Sequence, residues 1–260
     1  MTPRGAVLDL DGTIYRGGEA LPGAPEAVEA LRTADLDLLC FSNNPTRTRE
    51  DYVEHLAGMD VLVTADEVLS AGVVTTEHVR TEHGGDDVFL VGSPGLRDQL
   101  GAAGCRLTDD PRAADVLVAS WTREFDYGDL TAALRALDEE TAFVGSDPDR
   151  TVPASDGRLV PGSGAIIGAI AAATEREPDR VMGKPSPEAI EAVREHLPVP
   201  ASDCLLVGDR LDTDIAMGDR AGMTTVLVLT GVCDRADVRA SEVTPDHVVE
   251  SLAEVPSLLS

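Results

Sequence analysis

The sequence predicts an α/β fold: a mostly parallel sheet covered by helices, carrying a second, inserted α/β domain. Three observations point to it. Short apolar runs alternate with helical patterns along nearly the whole chain, the order expected where parallel strands are joined by helical crossovers. The runs are almost continuously apolar, as strands buried on both faces are. The alternation breaks at HGGDD (83–87), a turn signal, and again near Glu177-Pro178, which brackets an insertion.

Taken in order, AVLDLD (6–11) reads as the first strand and PEAVEALRTA (25–34) as a helix, its apolar residues at helical spacing. LDLLCFSN (36–43) is a second strand, TREDYVEHLAG (48–58) a second helix, and about 70–83 a third. Beyond the turn come DVFLVG (strand), PGLRDQLGAAG (helix), ADVLVAS (strand), YGDLTAALRALDEE (helix) and TAFVGS (strand). A Pro- and Gly-rich passage, SDPDRTVPASDGRLVPGSGA, precedes a helix over about 164–176. SPEAIEAVREHL (helix), CLLVGD (strand), TDIAMGDRAG (helix) and TTVLVLTG (strand) complete the alternation. The crossovers are expected to be right-handed.

Composition narrows the function classes. The 260 residues carry 47 acids against 21 bases, a formal charge of −26, which argues against nucleic acid and anionic membranes as partners. The acids are spread evenly, so they form a solvated surface rather than a tail. Such an evenly acidic chain resembles proteins of salt-accumulating halophiles. No apolar run has the length of a membrane span, and the N-terminus is too soon acidic for a signal peptide, so a cytoplasmic location is expected. The four cysteines form no C-x-x-C pair and read as free thiols. A single lysine, Lys184, survives among the 21 bases; an ammonium and a guanidinium are not interchangeable in a site, which makes Lys184 a candidate for a chemical requirement, against a chance survival.

Four polar clusters fall at the ends of expected strands. In LDLDGT, Asp9 and Asp11 are two residues apart and can face one site from the strand end. Two carboxylates so close need a positive group, and a hard cation such as Mg²⁺ takes oxygen ligands; taken alone, the pair also reads as an acidic turn. In FSNNPT, Ser42 and Asn43 offer donors to a phosphate, or simply form a polar turn. In GKPSP, Lys184 sits on a fixed loop and can face phosphate as a point charge, or enter a helix. In LLVGDRLDTDI, Asp209 ends a strand and Asp214 lies five residues on, with Asp212 a capping or solvated residue. One active site at the carboxyl end of a parallel sheet would collect all four.

DLDGT, Ser42, Lys184 and GDRLDTD resemble, in order and spacing, the four signature motifs of the haloacid dehalogenase superfamily. IYRGGEALPGAPEAVEALR, FSNNPTRT, SDPDRTVPASDGRLVPGSGAI and VMGKPSPEAI look like its NagD-like, para-nitrophenyl phosphatase branch. The resemblance implies a Rossmann-like core of residues 1–83 and 179–260 and an α/β cap of residues 84–178. It implies a Mg²⁺-dependent phosphatase acting on a small phosphorylated metabolite: Asp9 is the nucleophile, and Asp11 protonates the leaving oxygen and then activates water. Ser42, Asn43 and Lys184 hold phosphate, and Asp9, Asp11 (by its carbonyl), Asp209 and Asp214 serve the metal. A homodimer through the cap is a further implication. A phosphotransferase, or a non-catalytic phosphate-ligand binding protein on the same fold, is the alternative. Two stretches depart from the branch pattern. Ser146-Asp147-Pro148-Asp149 stands where Thr-Asn-Pro-Asp is usual, and Ser120-Trp121-Thr122-Arg123 where a Gly-Leu-Asp-Arg type run is. Trp121, Arg123 and Asp147 are therefore the expected substrate-specificity residues.

Overall fold

The computed structural model describes residues 3–153 and 158–259; part of the Pro- and Gly-rich passage, 154–157, lies outside the described residues. The chain is α/β, as expected, and divides into two compact units. The first comprises residues 1–42, 49–69 and 184–260, the second residues 43–48 and 70–183. The expected cap span of 84–178 falls inside the second unit, which also takes in the helix Ala71–Glu82 and the stretch 43–48. The side chain of Gln99 holds that stretch, donating from Nε2 to the Pro45 carbonyl at 3.0 Å.

The first unit is built on a six-stranded sheet. Its order from edge to edge is His247–Val249, Thr224–Val228, Cys204–Gly208, Gly5–Leu8, Asp37–Ser42 and Val68–Ser70. From His247–Val249 across to Asp37–Ser42 the strands pair in parallel: Leu8 lies opposite Cys40 on one side and Val207 on the other. Strands Gly5–Leu8 and Cys204–Gly208 are buried along their whole length, which explains their continuously apolar sequences. Leu8, Leu10, Leu38, Val207 and Val226 join Val28 and Leu31 of the helix Ala24–Thr33 and Leu56 of the helix Arg49–Ala57 in one core cluster. From Gly5–Leu8 the chain adds strands outward on one side, then returns and adds strands outward on the other. The reversal between Gly5–Leu8 and Cys204–Gly208 is a topological switch point, where open α/β sheets place their ligand crevice.

The second unit has its own five-stranded sheet, ordered Arg180–Val181, Ala142–Gly145, Val116–Ala119, Asp87–Val91, Arg106–Leu107, with parallel pairing throughout. Leu117, Ala119 and Phe143 pack with Ile166, Ile167 and Ile170 of the helix Ser163–Thr174 and with Ala133 of the helix Tyr127–Ala136. Thr151–Pro153 and Leu159–Pro161 pair as an antiparallel hairpin. Among the described residues no helix is long and apolar enough to cross a membrane.

Candidate active site

Asp9 follows the last residue of the central strand, and its N–H continues the ladder by donating to the Val207 carbonyl at 2.9 Å. Ser42 ends the neighbouring strand on one side, and Asp209 follows Gly208 at the end of the strand on the other. Three adjacent parallel strands thus deliver Asp9, Ser42 and Asp209 to one end of the sheet. All three are buried.

Lys184 reaches the same place. The stretch after it is fixed by a helix start: Ser186 is the N-cap of Pro187–His196, its Oγ accepting from the Ala189 N–H at 3.0 Å, with Pro187 preset for the first turn. The Lys184 side chain is 2% exposed. Its ammonium donates to Asp9 Oδ1 at 2.7 Å, to Asp214 Oδ1 at 2.7 Å and to the Phe41 carbonyl at 2.8 Å. Burial is the largest influence on this ammonium and opposes its charge, but Asp214 and Asp9 together outweigh it and raise its proton affinity. Lys184 is a fixed cation.

Asp214 is buried at 1% within Leu211–Ile215, a wide π-helical turn that leads into the helix Ala216–Ala221. Its second oxygen, Oδ2, accepts from the Arg210 N–H at 3.1 Å. Asp212 does not cap this turn; it is exposed and pairs with Arg210 at 3.3 Å. Asp209 Oδ2 accepts from the Val232 N–H at 2.6 Å, and Thr13 Oγ1 donates to Asp9 Oδ2 at 3.2 Å.

Carboxylate oxygens of Asp9, Asp209 and Asp214 all lie within 4.8 Å of one another. Buried like charges this close resist ionisation. Burial first, with Asp214 adding, pushes Asp9 up to about 7 against the pull of Lys184. Burial, then Asp9 and Asp214, raise Asp209 well above the carboxylate range. One ammonium therefore does not satisfy three carboxylates. A compact all-oxygen donor set short of positive charge fits a hard divalent cation.

Glycines make this packing feasible. A Cβ on Gly208 or on Gly231 would overlap the carboxyl groups of Asp214 and Asp209 respectively. Gly12, at φ +92°, would place a Cβ 2.6 Å from Asp209 Oδ2, so it is needed both for its left-handed turn and for the close approach. The sequence did not single out Thr13, Val232, Gly208 or Gly231. Thr13 lies within DLDGT, but the others act through a backbone N–H or through a missing side chain, which residue type alone does not reveal.

The remaining candidates are placed differently. The ladder ends with the Asp9 N–H, so strict alternation does not extend to Asp11; Asp11 is exposed and forms an isolated bridge with Tyr15. Asn43 groups with the second unit, where its Nδ2 donates to Asp149 Oδ1 at 3.5 Å. In that unit Arg123 is exposed and Trp121 is half-buried, with its N–H on Ser163 Oγ at 3.1 Å. Asp147 is 2% exposed and turned inward. It accepts from the Asp149 N–H at 3.2 Å and meets Ser146 Oγ at 2.9 Å.

The site and fold together define a class: this chain belongs to the haloacid dehalogenase-like hydrolases, whose family pattern matches residues 6–106, with a related hydrolase pattern over residues 181–255. Within that class it stands in the NagD and para-nitrophenyl phosphatase branch, hydrolases of phosphoric monoesters. It is 32% identical to the sugar-phosphatase AraL of Bacillus subtilis over 258 residues, 99% of this chain and 94% of the relative. A solved para-nitrophenyl phosphatase from Archaeoglobus fulgidus superposes with a TM-score of 0.92 at 35% identity, covering 99% of this chain and 100% of the other. NagD from E. coli K-12 superposes with a TM-score of 0.87 at 28% identity, covering 98% of each.

Proposed function

We propose that the protein is a Mg²⁺-dependent phosphatase of small-metabolite phosphomonoesters, working through an aspartyl-phosphate on Asp9. The observation that carries this reading is the buried Lys184–Asp9–Asp214 ion triad with Asp209 beside it, at the switch point of a parallel sheet.

In this reading Lys184 and Thr13 fix the Asp9 carboxylate, so that one oxygen attacks phosphorus in line with the leaving group. Asp11, the exposed carboxyl two residues on, gives its proton to the leaving oxygen. It then takes a proton from the water that opens the acyl-phosphate. Ser42 and Asn43 hold non-bridging oxygens, while Lys184 neutralises charge spread over the transferring group, the main catalytic contribution in phosphoryl transfer. Asp9, Asp209 and Asp214 would hold Mg²⁺, with the Asp11 carbonyl. The ion would supply the positive charge that this carboxylate cluster lacks. Of the specificity candidates, Arg123 and Trp121 remain proposed substrate selectors; the buried Asp147 has its carboxyl committed to its own turn.

Purified protein is expected to hydrolyse para-nitrophenyl phosphate and sugar phosphates with Mg²⁺ and to lose activity on chelation. Asp9→Asn should lower kcat by at least about 10⁴-fold, the scale on which removing a nucleophile costs, with an unchanged circular dichroism spectrum. Turnover surviving in Asp9→Asn would rule out the mechanism. Phosphate binding without turnover in the parent protein would favour a non-catalytic role.

A further inference from the structure

Outside the acidic cluster at the sheet end, a group of buried polar side chains lies in the second unit, around the turn Ser146-Asp147-Pro148-Asp149. Asp147 is 2% exposed, Asn43 8% and Asp149 9%. The Ser120 and Ser146 hydroxyls lie 2.8 Å apart, and Ser146 Oγ continues to Asp147 Oδ2 at 2.9 Å. Asp147 Oδ1 accepts the Asp149 N–H, and the Asp149 carbonyl accepts the Gly164 N–H at 2.9 Å. The backbone carrying Asp149 is thus pinned from both directions.

The Asp149 carboxyl meets Asn43, whose Nδ2 points at Asp149 Oδ1 at 3.5 Å. The other end of the carboxamide lies against Gly183: a Cβ there would fall 2.8 Å from Asn43 Oδ1 and 2.7 Å from Asp147 Cβ. The amide is therefore held between an acceptor and a glycine that has no room for a side chain. Asn43 follows Ser42 in the chain, and Gly183 precedes Lys184.

We infer that Asp149 is a positioning residue for phosphate binding: its carboxylate orients the Asn43 carboxamide, which in turn grips a phosphoryl oxygen. The inference rests on the phosphatase reading, in which Asn43 is a phosphate ligand. Nδ2 carries two hydrogens in one plane, so engaging one on Asp149 sets the direction of the other. Burial first, and then the neighbouring Asp149, push Asp147 up to about 7.

The test is a double-mutant cycle on the full chain with Asn43→Ala, Asp149→Ala and their combination. It reads kcat and KM for para-nitrophenyl phosphate, the inhibition constant of inorganic phosphate, and the melting-temperature increase that inorganic phosphate gives. Each single change should weaken phosphate roughly tenfold, the scale of one hydrogen bond to a charged group, with a smaller change in kcat. The double variant should be no worse than Asn43→Ala alone, because Asp149 acts through Asn43. Asp149→Asn, which keeps a carbonyl acceptor, should stay within about threefold of the parent on the same scale. Asp149→Ser carries the same expectation as the alanine variant if the latter does not fold. Additive losses, or an unchanged phosphate constant in folded Asp149→Ala, overturn the positioning role while leaving the phosphatase reading intact. A parent protein that neither turns over substrate nor is stabilised by phosphate overturns both.

Discussion

Lys184 is a point charge bonded to two carboxylates and a carbonyl within 2.7–2.8 Å, a geometry for three donors diverging from one nitrogen. A guanidinium is planar and wider, and does not reproduce it. Lys184→Arg should therefore reduce kcat roughly 100-fold or more, the scale of losing an electrostatic contact made to the transition state; parent-like rates would show that charge alone suffices. Lys184→Met should destabilise the metal-free protein by about 3–5 kcal/mol, because it leaves buried carboxylates unpaired; urea titration in a chelator measures this. Residue identity made Lys184 legible in the sequence, because it is the chain's single lysine, and strand-end position made Asp9 and Asp209 legible. Gly231 was not, because its role is to be absent from the space that Asp209 fills. Gly231→Ala should abolish or strongly weaken Mg²⁺ binding, read by calorimetry, while a binding constant like the parent's would show that Asp209 has room to shift.

Elements repeat this division. Long apolar strands and amphipathic helices were readable to within a few residues: TAFVGS contains Ala142–Gly145, and SPEAIEAVREHL contains Pro187–His196. Val68–Ser70, Arg106–Leu107, Arg180–Val181 and His247–Val249 were not expected as strands. At two or three residues they are too short to show a period, and each lies at a sheet edge where pairing rather than sequence makes it a strand. The turn Ser146–Asp149 differs from the branch pattern, and Asp147 within it is buried. That difference has a measurable consequence. In the fold Asp147 is raised from 3.8 to about 7, chiefly by burial and then by Asp149. The folded state thus holds this proton more tightly than the unfolded state. The group's contribution is fully present below about pH 4 and is lost as pH rises through about 7. Between pH 5 and 8 the parent should lose more stability, by an amount on the order of a few kcal/mol, than Asp147→Asn does. Equal slopes of urea midpoint against pH would contradict the assignment.

At the scale of the whole molecule, a charge of −26 on 260 residues sets a background of self-repulsion that opposes compaction. Salt shortens its range to about 3 Å at 1 M. Melting temperature should therefore rise with KCl from low millimolar to molar concentrations. A flat or falling curve would separate this acidic surface from adaptation to salt. The order of the six-stranded sheet adds a consequence in time. Gly5–Leu8 lies at the centre of that sheet, yet one of its two neighbours, Cys204–Gly208, is separated from it by about three quarters of the chain. At ribosomal speeds of about 5–20 residues per second, the interval between making the two strands is roughly 10–40 s. Throughout that interval a fully apolar strand has one edge without its native partner, and the lysine that will pair with Asp9 does not yet exist for most of it. The nascent chain thus presents an unpaired strand edge to strand-to-strand aggregation at a segment that is buried along its whole length in the folded protein.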